Sequence, residues 1–395
     1  MNERLREREQ RYLMNTYKRA PVEFVRGDGA LLFDSDGREY LDFLGGISVA
    51  SVGHCRTEVL DAMKEQAGQL MHVSNLFYTA PMVDLAERLS KSSLGGAVFF
   101  CNSGTEANEC AIKIARKAAR RRGVEDPVIV TVDGDFHGRT YGSLSATPGL
   151  SRNPDFAPMV PGFGSVPFDD AEALEAAVGP GTAAIMLEPI QGEAGVFPVS
   201  DEFLLKAREL CDRYEALLIF DEVQTGVGRT GSLWAYQQGP VRPDLMTVAK
   251  ALGGGVAIGA CIGSRGAGSV LEPGDHGSTF AAGPVAARAG LAVLDLVDRP
   301  ETLRAVRDLG DQLGRGLAEL DGVDEVRGRG LMIGVGLEAG IDAAGIAAVL
   351  LRDGLVVNAP RPDTLRLLPP FVLTVEQADL AVGKLASALS GTGRA

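Results

Sequence analysis

Lys250 closes an apolar run, LMTVAK, and opens into Ala251-Leu252-Gly253-Gly254-Gly255. It is one of only eight lysines against 31 arginines, so an amine stands where this chain's usual cation is a guanidinium. Desolvation at the end of a strand lowers a lysine pKa, and the neutral amine is what Schiff-base chemistry requires. On that feature alone, a lysine snorkelling from a strand end is an equal reading. A nucleotide loop is excluded, because GGGVAIG fits neither G-x-G-x-x-G nor a Walker loop, whose lysine follows its glycines. Two further stretches carry reactive groups. After LLIF comes Asp221-Glu222-Val223-Gln224-Thr225-Gly226. A carboxylate at a strand's carboxyl end caps a turn, binds metal or meets a cationic ligand. Metal fits poorly: His54, His72, His137 and His276 are dispersed, and no acidic run has calcium-loop spacing. After AVFFC comes Asn102-Ser103-Gly104-Thr105-Glu106 and then a long helical pattern. Ser103 or Thr105 can cap that helix, and its first N–H groups suit a phosphate. A phosphate cup, a carboxylate for a pyridinium nitrogen and a lysine for an aldehyde are together what pyridoxal phosphate demands.

These groups need strands to carry them. Apolar runs at 97–101, 128–132, 183–187 and 217–220 alternate with helical stretches such as EANECAIKIARKAARR. That predicts an α/β fold with a large, mostly parallel sheet and ligand groups beyond the strands' carboxyl ends. Upstream, residues 1–20 read as an amphipathic helix. FVRGDGALLFDSDGREYLDF reads as antiparallel strands joined by Gly-Asp-Gly and Ser-Asp-Gly turns. Helices are expected at about 56–70 and 81–93. From 284 onward the order helix, helix, strand, strand, helix, strand, helix predicts a smaller C-terminal α+β domain, joined by a helix over 283–298. The expected division is 1–50, an N-terminal helix and strands packing with the small domain; 51–283, the large cofactor domain; and 284–395, linker helix and small domain.

The motifs resemble those of the class III (ornithine-type) pyridoxal-phosphate aminotransferases, and the match runs nearly end to end. It is carried by SNLFYT (74–79), FHGRT (136–140), EPIQGE (188–193), FDEVQTGVGRTG (220–231), AKALGGG and VNAPRPDTLRL (357–367). The resemblance implies a fold-type I transferase in which Lys250 carries the cofactor and later shuttles the proton. By the same resemblance Asp221 pairs with the ring nitrogen, Val223 packs beneath the ring and Gln224 faces its hydroxyl. Phe136 stacks above with His137 beside it, and Ser103, Gly104 and Thr105 cradle the phosphate. Thr279 reaches the phosphate of a neighbouring subunit, with Ser278 beside the substrate, which implies a homodimer with shared sites. Arg139 grips the distal carboxylate, while Arg366 takes the α-carboxylate of glutamate when Glu193, its gate, swings away. The branch most resembled takes N-acetylornithine as donor and 2-oxoglutarate as acceptor, in arginine biosynthesis. Ile47 stands where ornithine-specific relatives place a tyrosine. Transfer from succinylornithine, ornithine, 4-aminobutyrate, a lysine carrier or succinyl-diaminopimelate remains an alternative, as does an aminomutase. Departures from the family pattern fall at Ala50, Arg56-Thr57, Ala257 and Ala281-Ala282-Gly283. None removes a reacting group.

Composition narrows the setting. The chain has 395 residues, 45% hydrophobic and 23% charged, which excludes disorder. Acidic residues outnumber basic ones by 52 to 39, a net charge of −13, which argues against general affinity for nucleic acid or anionic membrane. No apolar run approaches the ~18 residues of a membrane span. The N-terminus is too charged for a secretory signal. Five scattered cysteines without a C-x-x-C pair read as small buried hydrophobes in a reducing compartment, so a cytoplasmic enzyme with no metal is expected.

Overall fold

The computed structural model describes residues 3–151 and 153–391. At its centre lies a seven-stranded sheet. Its strands lie side by side in the order Gly95–Cys101, Gly259–Ser264, Leu245–Val248, Leu217–Asp221, Thr182–Leu187, Val128–Val132 and Phe163–Val166. Only Gly259–Ser264 runs against the others, so six carboxyl ends share one edge. Thr182–Leu187 is buried at every residue, which is why it reads as an unbroken apolar run. The helix Gly104–Arg121 lays a small-residue stripe (Ala107, Ala111, Ala115) on this sheet, and small side chains let its N-terminus approach the strand ends closely.

The expected apolar runs all form strands, with one revision. The run LMTVAK stops pairing at Val248, and Lys250 begins a short 3-10 turn in left-handed backbone, φ 42°. The lysine therefore stands beyond the strand rather than on it. The N-terminal helix is also shorter than expected. It spans Glu3–Tyr12, buries no residue, and gives way to irregular chain through Asn15, Thr16 and Pro21; residues 1 and 2 of the expected span lie outside the described residues.

Phe24–Asp28, Leu31–Asp34 and Glu39–Asp42 form the expected antiparallel sheet, and Leu355–Val356 adds to it in parallel. Leu41 and Phe43 share a core with Leu313, Leu365 and Leu385, so the N-terminal strands pack with the C-terminal region. That region holds a second four-stranded sheet, Val323–Arg329, Met332–Leu337, Thr364–Leu367 and Asn358–Arg361. The single late strand of the sequence pattern is thus three short ones.

Two features pin the N-terminal region to the rest. Gly45, Gly46, Ile47 and Ser48 all have φ between 56° and 65°, one turn of left-handed helix. Such backbone costs roughly 1–2 kcal/mol for each non-glycine residue. Asp42 Oδ1 offsets this by accepting the Leu44 and Gly45 N–H groups, both at 2.9 Å. Arg229, wholly buried, donates to Ser48 Oγ (3.0 Å), Ser51 Oγ (2.6 Å), the Leu331 carbonyl (2.9 Å) and the Pro369 carbonyl (2.7 Å). All five cysteines are free; four are buried as expected, but Cys55 is exposed. Among the described residues no helix is long and apolar enough to cross a membrane.

Candidate active site

Five of the six parallel strands deliver side chains to one cavity of about 450 Å³ at the shared edge, a volume suited to a small-molecule site. Ser103, Gly104 and Thr105 line it at the start of their helix, and Phe136, His137 and Arg139 come from the loop after Val128–Val132. Glu193, Asp221, Val223, Gln224 and Lys250 complete the expected set that lines this space.

Ser103 is the helix cap, accepting the Glu106 N–H at 3.4 Å, while the Thr105 hydroxyl meets that of Thr140 at 2.8 Å. The Gly104 and Thr105 N–H groups find no acceptor among the described residues, so they remain free for an anion. Gly104 has to be glycine: a Cβ there would stand 2.7 Å from Val223. Asp221 is buried, and hydrogen bonds to both oxygens fix its orientation. Oδ1 accepts the Val223 N–H at 3.0 Å, and Oδ2 meets Asn108 Nδ2 at 2.7 Å and His137 Nδ1 at 2.8 Å. Burial alone would lower the His137 imidazole, but Asp135 and Asp221 outweigh it and raise its pKa to about 10. Burial, helped by Asp135 and Asp221, pushes Glu188 up to about 8.

Burial lowers the Lys250 amine against the opposing influence of Glu193 and Glu188. No hydrogen bond or ion pair reaches its Nζ among the described residues. Arg366 lies behind the cavity wall, fully buried, and reaches it through its partners. Its Nη1 donates to Glu193 at 2.7 Å and to Gln224 at 3.2 Å, its Nε to Asn358 at 3.2 Å, and its Nη2 has no partner. Burial would raise the Glu193 carboxyl, yet Arg366 holds it below its ordinary value. Arg139 is exposed at the rim, its guanidinium 5.5 Å from the centre of the Phe136 ring.

Besides Arg366, two expected residues fall outside the cavity lining. Thr279 is exposed, and Ser278 is half-buried with its hydroxyl accepting from Asn102 Nδ2 at 3.1 Å. Ile47 likewise is exposed, and Val49 lines the cavity instead. Ala282 sits at φ 44°, so its added methyl is carried in strained left-handed backbone. Three residues were missed by sequence reasoning. Asn108 holds Asp221, Glu188 lines the cavity, and Asp135 lies behind His137. Asn108 could have been found as a polar residue within the apolar stripe of its helix, and Glu188 was part of a quoted motif.

The residues fit pyridoxal phosphate: a glycine cradle with free N–H groups at one end, a fixed carboxylate at the other, and an unpartnered lysine between. Such a site on this sheet defines a pyridoxal-phosphate-dependent transferase. The chain belongs to the class-III aminotransferases, whose family model matches residues 12–389. It is 45% identical over 389 residues to acetylornithine aminotransferase of Caldanaerobacter subterraneus subsp. tengcongensis, covering 97% of this chain and 98% of the relative. The structure of N-acetylornithine aminotransferase from Stenotrophomonas maltophilia K279a matches with TM-score 0.84 and 38% identity, covering 98% of each chain. That of ornithine aminotransferase from Toxoplasma gondii, which has partial occupancy of PLP at its active site, matches with TM-score 0.92 and 33% identity, covering 99% of this chain and 95% of that one.

Proposed function

We propose that this enzyme transfers the terminal amino group of N-acetylornithine to 2-oxoglutarate, giving the semialdehyde and glutamate, as a step of arginine biosynthesis in the cytoplasm. The observation that carries the reading is the Arg366–Glu193 pair, 2.7 Å long, with a second guanidinium nitrogen left unpartnered. A donor whose α-amine is acylated and whose reacting amine is terminal needs no free cation near the reacting carbon. Glutamate does. A buried arginine masked by a displaceable carboxylate serves both in turn.

When bound, pyridoxal phosphate supplies an electron sink that makes the proton beside the reacting amine removable. The chain supplies the rest. Gly104 and Thr105 N–H groups would hold the phosphate, Val223 and Phe136 would support the ring, and Gln224 would meet its hydroxyl. Asp221, fixed by Asn108 and His137, accepts from the ring nitrogen. Lys250, whose amine burial shifts toward the neutral form, would move the proton. Arg139 holds the substrate's distal carboxylate from the open side.

A homodimer is part of this reading, with Thr279 completing the partner's phosphate site and Ser278 beside its substrate. Its support is the exposed apolar strap of Leu76, Phe77 and Tyr78 (85%, 66% and 98% exposed) together with exposed Phe280. So is the division into residues 1–50, 51–283 and 284–395. Adding N-acetylornithine to the loaded enzyme is expected to bleach its yellow absorbance, and 2-oxoglutarate to restore it. Bleaching only by free ornithine or 4-aminobutyrate would move the substrate to the alternative ω-amines. Recovery without any keto acid would favour an aminomutase.

A further inference from the structure

Asp135 is a buried carboxylate to which the proposed transfer reaction assigns no role. It follows Gly134, whose φ of 97° turns the chain sharply after the strand Val128–Val132. A Cβ at Gly134 would stand 2.6 Å from Gln191 Oε1. Asp135 Oδ1 is tethered by Gln191 Nε2 at 3.0 Å and by the Glu188 N–H at 3.4 Å. Its other oxygen, Oδ2, has no hydrogen bond and faces His137 Nε2, also without one, at 3.5 Å. The opposite ring nitrogen of His137 binds Asp221 at 2.8 Å. The imidazole is thus clasped between two carboxylates, one tethered behind it and one facing the cavity. Glu188 and the Lys250 amine are the further ionisable groups facing this cluster, and Asn108 adds a neutral amide. No group of three or more such side chains among the described residues is arranged to hold a metal ion.

We propose that Asp135 is a positioning residue: from behind the His137 ring its charge keeps both ring nitrogens protonated, which leaves Asp221 an acceptor fixed toward the cofactor's ring nitrogen. The proposal rests on the assignment of Asp221 to that nitrogen. Without the rear carboxylate, His137 is free to lose a proton, and Asp221 then faces a neutral ring in place of a cation. Burial would lower the imidazole and the two carboxylates reverse that, in keeping with the geometry.

The test is an NMR titration of histidine ring nitrogens in labelled apoenzyme, with His137 assigned by its loss in His137→Asn. In the parent protein the His137 ring is expected to remain doubly protonated to at least about pH 9. In Asp135→Asn, nearly the same shape, its midpoint is expected to fall by at least one pH unit, in the range that removing a charge within about 4–6 Å produces. In loaded enzyme the pH midpoint of the cofactor's visible absorbance is expected to move as well. A purely structural Asp135 would change melting temperature and leave both titrations alone, and that result overturns the proposal. Should Asp135→Asn fail to fold, Gln191→Met loosens the tether while keeping the charge; a smaller fall supports the proposal and an unchanged midpoint refutes it. Protein that stays colourless with pyridoxal phosphate would sink the cofactor assignment, while the apoenzyme titration still decides the role of Asp135.

Discussion

The two flanks of the cavity are built to opposite specifications. Around Asp221 the side-chain partners Asn108 and His137 are buried, and with the Val223 N–H three donors converge on one carboxylate. Around Arg366 a buried guanidinium faces a carboxylate whose side chain is 38% exposed, and Arg139 stands in the open. The first flank is fixed by hydrogen bonds within the protein. On the proposed reading, the second exchanges one carboxylate for another at each turnover. Water reaches Glu193 but not Arg366, so on the proposed reading Glu193 can leave only as another carboxylate takes its place on the buried guanidinium. Breaking a buried charged network by removing one member costs roughly 3–5 kcal/mol, so that flank cannot serve as a gate. Rigidity and exchange are thus separated within one cavity by water access to a single carboxylate.

The comparison can be broken at either flank. Lys250→Ala, between the two, is expected to lower both half-reactions by more than about 10³-fold in single-turnover absorbance. A rate near that of the parent would remove the lysine from the chemistry. Arg366→Lys is expected to cost about 100-fold in kcat/KM for glutamate, because the bidentate fork is lost, and under about tenfold for N-acetylornithine. Equal losses would show that both substrates use the guanidinium alike. Glu193→Gln is expected to weaken the mask, with a loss of about tenfold for N-acetylornithine and little change for glutamate. A loss confined to glutamate would reverse the assigned role of the gate.

The smallest effect concerns pH and the rigid flank. His137 has its folded pKa raised to about 10 and Glu188 to about 8, both above their ordinary values. Across the intervening range the folded state binds more protons than the unfolded one, so stability falls as pH rises. Glu188 contributes this loss between about pH 4.5 and 8, and His137 between about 6.5 and 10. Melting temperature is therefore expected to decline from pH 6 to pH 9, and Glu188→Gln is expected to flatten the lower part of the decline. An unchanged slope in that variant would take Glu188 out of the balance.

What the sequence showed best was whatever each strand end carries with it. Asp221 and Val223 follow one apolar run, Ser103 and Gly104 another, and their neighbours in sequence are enough to mark them. Less legible were groups whose meaning lies across the sheet. Asn108 and Asp221 are 113 residues apart, and His137 and Asp221 are 84 apart. Asp135 escaped notice because nothing local distinguishes a tethered buried carboxylate from a turn residue. Lys250 was found, but its left-handed backbone was not, since the neighbouring packing imposes it against the residue's own preference. The three short late strands were merged for a simpler reason: at two to four residues each, Leu355–Val356, Asn358–Arg361 and Thr364–Leu367 carry too little alternation to separate.

Arg229 bears on how separable the parts of this chain are. Its guanidinium is wholly buried, burial lowers its pKa to about 9, and its four acceptors lie on Ser48, Ser51, Leu331 and Pro369. Ser48 and Ser51 straddle the boundary proposed at residue 50, and the other two lie beyond that at 284. The boundaries therefore trace architecture, not modules that can be excised. A fragment of residues 51–283 would keep the cation and lose three of its four acceptors, so neither recombining the lobes of two relatives nor circular permutation near residue 50 leaves this joint intact.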